Sequence, residues 1–123
     1  MKPSLFIALP CYDSVTLPSL VSIIKLIQHL GKKNIEVTIH AIKSPLIHQA
    51  RNHLVSVFLT TTYQYLLFVD SDVEFEPEAV MKMMEAKKNI ICTPYRLKSP
   101  EIDKHIYSVQ VKDSKILPGG LVE

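Results

Sequence analysis

Short apolar runs in this chain alternate with longer segments whose apolar residues recur every three or four positions, as strands alternate with amphipathic helices. The first run covers residues 5–9 and is halted by Pro10. A helix is predicted from near Thr16, with Pro18 in its first turn, to Gly31. Ile35, Val37 and Ile39 alternate with Glu36, Thr38 and His40, which reads as a second strand. Ser44-Pro45 is a strong start signal, serine capping and proline at the first helical position, for a helix running to about Thr61. Its apolar positions Leu46, Ile47, Ala50, Leu54, Val57 and Phe58 keep the helical spacing. A third strand is predicted over 65–69, and the unbroken run Leu66-Leu67-Phe68-Val69 suggests an interior strand covered on both faces. Pro77 opens a third helix over 78–87, with acidic residues ahead of it and Lys87-Lys88 behind, as the helix dipole prefers. A fourth strand over 89–93 stops at Pro94.

The order β-α-β-α-β-α-β predicts an α/β protein: an open, mainly parallel twisted sheet of Rossmann-like type with helices on both faces, three layers deep. Ligands of such sheets bind beyond the carboxyl ends of the strands. Those ends carry residues 10–14, Lys43-Ser44, Asp70 to Asp72 and residues 94–98. A length of 123 residues suits a single domain spanning 1–123.

Composition narrows the function classes. With 47% apolar and 21% charged residues the chain has ordinary globular make-up, and nothing suggests disorder. A formal charge of +2, with Lys and Arg scattered along the chain, gives no basis for a nucleic-acid partner. The apolar stretch after Met1-Lys2-Pro3-Ser4 is too short for a secretory signal. The longest apolar helix, 17–30, carries Ser19, Ser22, Lys25, Gln28 and His29, so no membrane span is expected. Cys11 and Cys92 lack Cys-x-x-Cys spacing, which fits a reducing compartment and argues against structural zinc. The expected location is the cytoplasm. His48 and His53 lie five apart on one helix, off a common face, and make a poor metal pair.

The strongest chemical signal is Asp70-Ser71-Asp72 directly after the third strand. An unpaired buried carboxylate is costly, so both acids should sit where the strand stops. On an extended segment residues i and i+2 point to the same side, so both carboxylates would face one ligand. Two hard oxygen donors at a strand's carboxyl end suit Mg²⁺ or Mn²⁺, which keeps several waters and completes its shell with substrate phosphates. The competing interpretation is a solvated turn or a helix cap.

Three segments together carry a family resemblance: the opening strand running into Leu9-Pro10-Cys11-Tyr12, the helical Gln49-Ala50-Arg51-Asn52, and Phe68-Val69-Asp70-Ser71-Asp72 followed by Pro77. With Tyr95-x-x-Lys98 downstream, the chain resembles nucleotide-sugar-dependent glycosyltransferases of the GT-A fold over about residues 5–98, the short forms of phages and large DNA viruses above all. The resemblance implies transfer of a sugar from a UDP- or GDP-sugar to a glycan or glycoprotein acceptor, with Mn²⁺ or Mg²⁺ as cofactor. It implies Pro10, Tyr12 and Asp13 at the base, Arg51 at base or phosphate, Asp70 at ribose and metal, and Asp72 at the metal. Arg96 and Lys98 follow the fourth strand and are candidates for phosphate or acceptor. The chain departs from the pattern in two places. Ala41-Ile42-Lys43-Ser44 stands where many relatives carry a base-binding aspartate, so the nucleoside stays open. Relatives usually run on through another half-domain that supplies the acceptor site and, in inverting enzymes, the catalytic carboxylate, whereas Asp103, Asp113 and Glu123 are the only acids after Glu101 here. A natural minimal form or a fragment is expected. Two other readings stand beside this one: a non-catalytic nucleotide-binding or assembly module, and a phosphatase of the haloacid-dehalogenase type, whose first motif Leu67 to Val73 also resembles.

Overall fold

The first apolar run becomes the central strand of a parallel sheet. A computed structural model describes residues 2–94 and two short strands near the carboxyl terminus. Strand β1 (Ser4–Cys11) pairs in parallel with β2 (Glu36–Lys43) on one side and β3 (Tyr65–Phe68) on the other, in the order β2-β1-β3. Helices α1 (Leu17–Lys32) and α2 (Ile47–Leu59) make the crossovers, and α3 (Pro77–Glu85) follows β3. Two compact units divide the chain, Met1–Ala86 and Lys87–Glu123. The second holds an antiparallel pair, β4 (Ile116–Leu117) and β5 (Leu121–Val122), with Ile116 opposite Val122.

The pleat of β1 decides where each helix packs. Leu5, Ile7 and Leu9 share a cluster with Ile23, Leu26 and Leu30 of α1 and Val80 of α3. Phe6 and Ala8, of opposite parity, cluster with Leu54 of α2, flanked by Val57 and Phe58. Both faces of β1 are therefore buried under helices, and each aliphatic side chain taken out of water there contributes about 1.5–3 kcal/mol. The chain is a small α/β protein with an open three-stranded parallel sheet and three helices in its first unit. Among the described residues no helix is long and apolar enough to cross a membrane.

Several expectations need correction. Residues 89–93 form no strand: the backbone turns at Ala86 and Lys87, Lys87 takes φ 50, and Ile90 is 92% exposed. An apolar residue that gains no burial there supplies no reason to join a ladder. β3 is consequently a sheet edge among the described residues, with Tyr65 and Phe68 exposed, and the strand covered on both faces is β1. Pro10 does not halt β1, which continues pairing through Pro10 and Cys11 with Ile42 and Lys43. The geometry explains this. The Ala8 carbonyl accepts from Val69 N–H on the β3 side, and the Cys11 carbonyl accepts from Ser44 N–H on the β2 side. Pro10 shares the parity of Ala8, so its missing N–H faces β3, where the ladder has already ended at Ala8 and Phe68.

Helix ends differ too. Gly31 lies inside α1, and the left-handed stop falls on Asn34 at φ 58, a residue whose short amide side chain tolerates that region. Ser44 does not cap α2 directly; its hydroxyl accepts from Leu46 N–H at 3.2 Å in a local turn, and the helix begins at Ile47.

Candidate functional site

All three strands run the same way, so the loops after Cys11, Lys43 and Phe68 emerge at one edge of the sheet. The loop after β3 holds Asp70 and Asp72. Val69 is still tied to β1, after which the chain turns: Val73 N–H donates to the Asp70 carbonyl at 3.4 Å, with Ser71 and Asp72 at the corner. Aspartate at the first position of such a turn is favoured because its side chain accepts local donors. The acids therefore lie in a turn rather than on an extended segment, and the pleat argument for their common direction does not apply. What the turn does is bring both out of the core: Asp72 is exposed and Asp70 half-buried.

Helix α1 fastens this loop. Its face toward the sheet is apolar except for Ser19 and Ser22, both buried and one turn apart. Ser22 Oγ accepts from Phe75 N–H at 3.0 Å, and Ser19 Oγ donates to the Asp70 carbonyl at 3.4 Å. Thr16 N–H, at the start of the helix, donates to the Ser71 carbonyl at 2.9 Å. Two of these contacts hold the Asp-x-Asp backbone and the third holds Phe75 further along the same loop. Ser22→Ala strands the Phe75 N–H and is expected to cost about 1–3 kcal/mol in urea unfolding, more than Ser19→Ala, whose contact is longer. A loss under about 0.5 kcal/mol for Ser22→Ala would show that the loop is fastened elsewhere.

Two ion pairs organise the charges. Arg51, on the first turns of α2, donates from Nη2 to Asp70 Oδ1 at 3.0 Å, and its guanidinium lies 5.8 Å from the centre of the Phe68 ring. Lys43, at the end of β2, pairs with Asp13 in the loop after β1. The residues singled out by sequence thus separate into groups. Arg51 and Asp70 are brought together, with Asp72 two residues along the same loop. Asp13 is engaged by Lys43, a partner that sequence reasoning did not assign. Tyr12 stands 73% exposed, whereas Pro10 is fully buried. Cys11, the last residue of β1, donates from Sγ to the Ile42 carbonyl at 3.4 Å, so its thiol is turned into the sheet edge. Lys98, with Arg96 and Tyr95, lies outside the described residues.

At the amino end of the sheet, the Tyr63 hydroxyl donates to Glu36 Oε1 at 3.1 Å. Partial burial of the ring and then this carboxylate hold its phenol above the ordinary 10.0. That pair lies at the end of the sheet away from the acidic loop. Two surface grooves of about 250 and 270 Å³ lie between α1 and α3, and neither is lined by Tyr12, Asp13, Arg51, Asp70 or Asp72.

A divalent cation at this edge of the sheet would take its protein ligands from Asp70 and Asp72. Among the described residues no cluster of three or more His, Cys, Asp or Glu side chains forms a closed metal cage. That donor set suits a cation that keeps most of its shell for water and phosphate oxygens. Sequence reasoning gave Ser19 and Ser22 no part in the site, and it placed Lys43 at the strand ends without a partner. The serines were findable, because two hydroxyls on the buried face of an apolar helix need hydrogen-bond partners, here the backbone of the loop after β3. Compared with known proteins, the chain matches no family model, no curated protein and no solved structure.

Proposed function

We infer that the chain binds a nucleoside-diphosphate sugar through a divalent cation and acts as a glycosyltransferase, with the three-layer GT-A arrangement as its architecture. The observation that carries this reading is the fastened Asp-x-Asp turn at the carboxyl edge of a parallel sheet, with Arg51 set on its first carboxylate. In this reading Asp72 and Asp70 hold Mn²⁺ or Mg²⁺, which would neutralise charge on the diphosphate leaving group. Arg51 supplies a fixed cation for a phosphate oxygen, since a guanidinium cannot lose its charge near neutral pH. Tyr12 offers an exposed ring on which a base can stack. The Lys43 ammonium restrains Asp13 beside that ring, so the base contact there would come from a carboxylate already oriented.

Thermal unfolding with UDP or GDP, with and without MnCl₂, tests the reading. Ligand at 100 times its dissociation constant stabilises by about 2.7 kcal/mol. A gain of several degrees that needs both nucleotide and metal is the expected result. No gain with any nucleoside diphosphate and Mn²⁺ overturns it, and metal-dependent hydrolysis of a simple phosphate ester would put a phosphatase in its place.

A further inference from the structure

The Arg51–Asp70 pair has a consequence for the order in which ligands arrive, and it rests on the nucleotide-and-cation reading above. In the protein alone, the guanidinium occupies an oxygen of a carboxylate that the cation would need: Nη2 stands 3.0 Å from Oδ1. A divalent ion approaching Asp70 therefore meets a fixed positive charge and must displace or share a hydrogen bond. The same guanidinium favours an anion. Its side chain is 48% exposed and that of Asp70 33%, so neither is locked in the core, and exposed pairs of this kind are held weakly. Several N–H donors remain on a guanidinium after one bond to a carboxylate, enough to engage phosphate without leaving its seat over Phe68.

We propose that Arg51 is a coupling residue: it stands in for the cation on Asp70 in the ligand-free protein and turns to the diphosphate when metal and nucleotide arrive together. Metal alone binds poorly because Arg51 opposes it. Nucleotide alone binds poorly because the two carboxylates oppose the diphosphate. Each ligand removes the other's obstacle, and by linkage the enhancement is equal in both directions. The role belongs to Arg51 because it is the cation bonded to Asp70, whereas Lys43 is committed to Asp13.

The test is Mn²⁺ binding followed by electron paramagnetic resonance, with and without UDP or GDP, in the wild-type chain, Arg51→Gln and Arg51→Lys. In Arg51→Gln the affinity for Mn²⁺ alone is expected to rise, on the order of tenfold, while the enhancement of Mn²⁺ binding by nucleotide falls by tenfold or more. Arg51→Lys keeps the charge and is expected to stay within about threefold of wild type for Mn²⁺ alone. Should the glutamine variant fold poorly, Arg51→Met, which also removes the charge, carries the same two expectations. If the wild type shows nucleotide-enhanced Mn²⁺ binding and Arg51→Gln leaves both quantities unchanged, the coupling role falls and the functional reading stands. If the wild type binds no Mn²⁺ with any nucleotide, both fall.

Discussion

Phe6→Ala is expected to lower the unfolding free energy by about 3–5 kcal/mol, a large part of what a domain of this size possesses. Phe6 is fully buried on the central strand, on the face covered by α2. Its ring stacks on His40 with centroids 4.8 Å apart and meets Phe58 and Tyr63 edge-on at 5.7 and 6.1 Å. Truncation opens a cavity walled by three rings from β2, α2 and the segment before β3. These elements are tied to the sheet or the helix and cannot all collapse inward. Aromatic pairs of this geometry are worth about 0.5–1.5 kcal/mol beyond the area they bury, so the loss should lie toward the upper end of the range. Phe6→Leu keeps most of the volume and should cost distinctly less. Ile24→Ala, on the exposed face of α1, should stay within about 0.5 kcal/mol. Urea denaturation measures all three variants, and a loss under about 1 kcal/mol for Phe6→Ala would mean that β1 is not the interior strand.

That test bears on how far the fold was legible beforehand. The α1, α2 and α3 segments were readable because their apolar residues keep one helical face and because Pro18 and Pro77 mark first turns. β2 was readable from strict alternation. The error lay with two similar apolar runs, residues 5–9 and 66–69, either of which could have been the interior strand. Hydrophobicity alone does not rank them. The ranking comes from ladder partners: β1 is flanked by β2 and β3, while β3 pairs with β1 alone among the described residues. Pro10 misled for a related reason, since a missing N–H ends a strand only on a side where the ladder still needs it.

The site was legible as a set of loops but not as a set of pairings. Parallel strand order alone places Tyr12, Asp13, Lys43, Asp70 and Asp72 at one sheet edge. Which cation meets which carboxylate depends on tertiary placement. Arg51 lies 19 residues before Asp70 and reaches it only because α2 packs over the face of Phe6 and Ala8. The Asp-x-Asp spacing suggested an extended segment, and the turn closed by Val73 N–H takes that geometry away while leaving both acids at the surface.

Asp72→Asn separates the cation reading from the plain turn, and it is the substitution expected to affect binding most. Asparagine is nearly isosteric and equally at home in a turn, and Asp72 is exposed, so stability without ligand should move by no more than about 0.5 kcal/mol. A neutral amide oxygen is a far weaker partner for a hard cation than a carboxylate. Asp72→Asn removes one of the two carboxylates proposed for the cation, and the other is bonded to Arg51. Metal-dependent affinity for UDP or GDP is therefore expected to fall on the order of a hundredfold, equivalent to about 2.7 kcal/mol, and the thermal gain from nucleotide with Mn²⁺ should vanish. Weak metal-independent nucleotide binding through Arg51 and Tyr12 should persist, even slightly improved, because one negative charge facing the diphosphate is gone. Asp70→Asn should behave differently: it removes a donor and also releases Arg51, so its metal-independent nucleotide affinity should rise further than that of Asp72→Asn. Calorimetric titration of both variants with and without MnCl₂ distinguishes the cases. Equal Mn²⁺-dependent affinity in wild type and Asp72→Asn would reduce the acidic pair to a solvated turn.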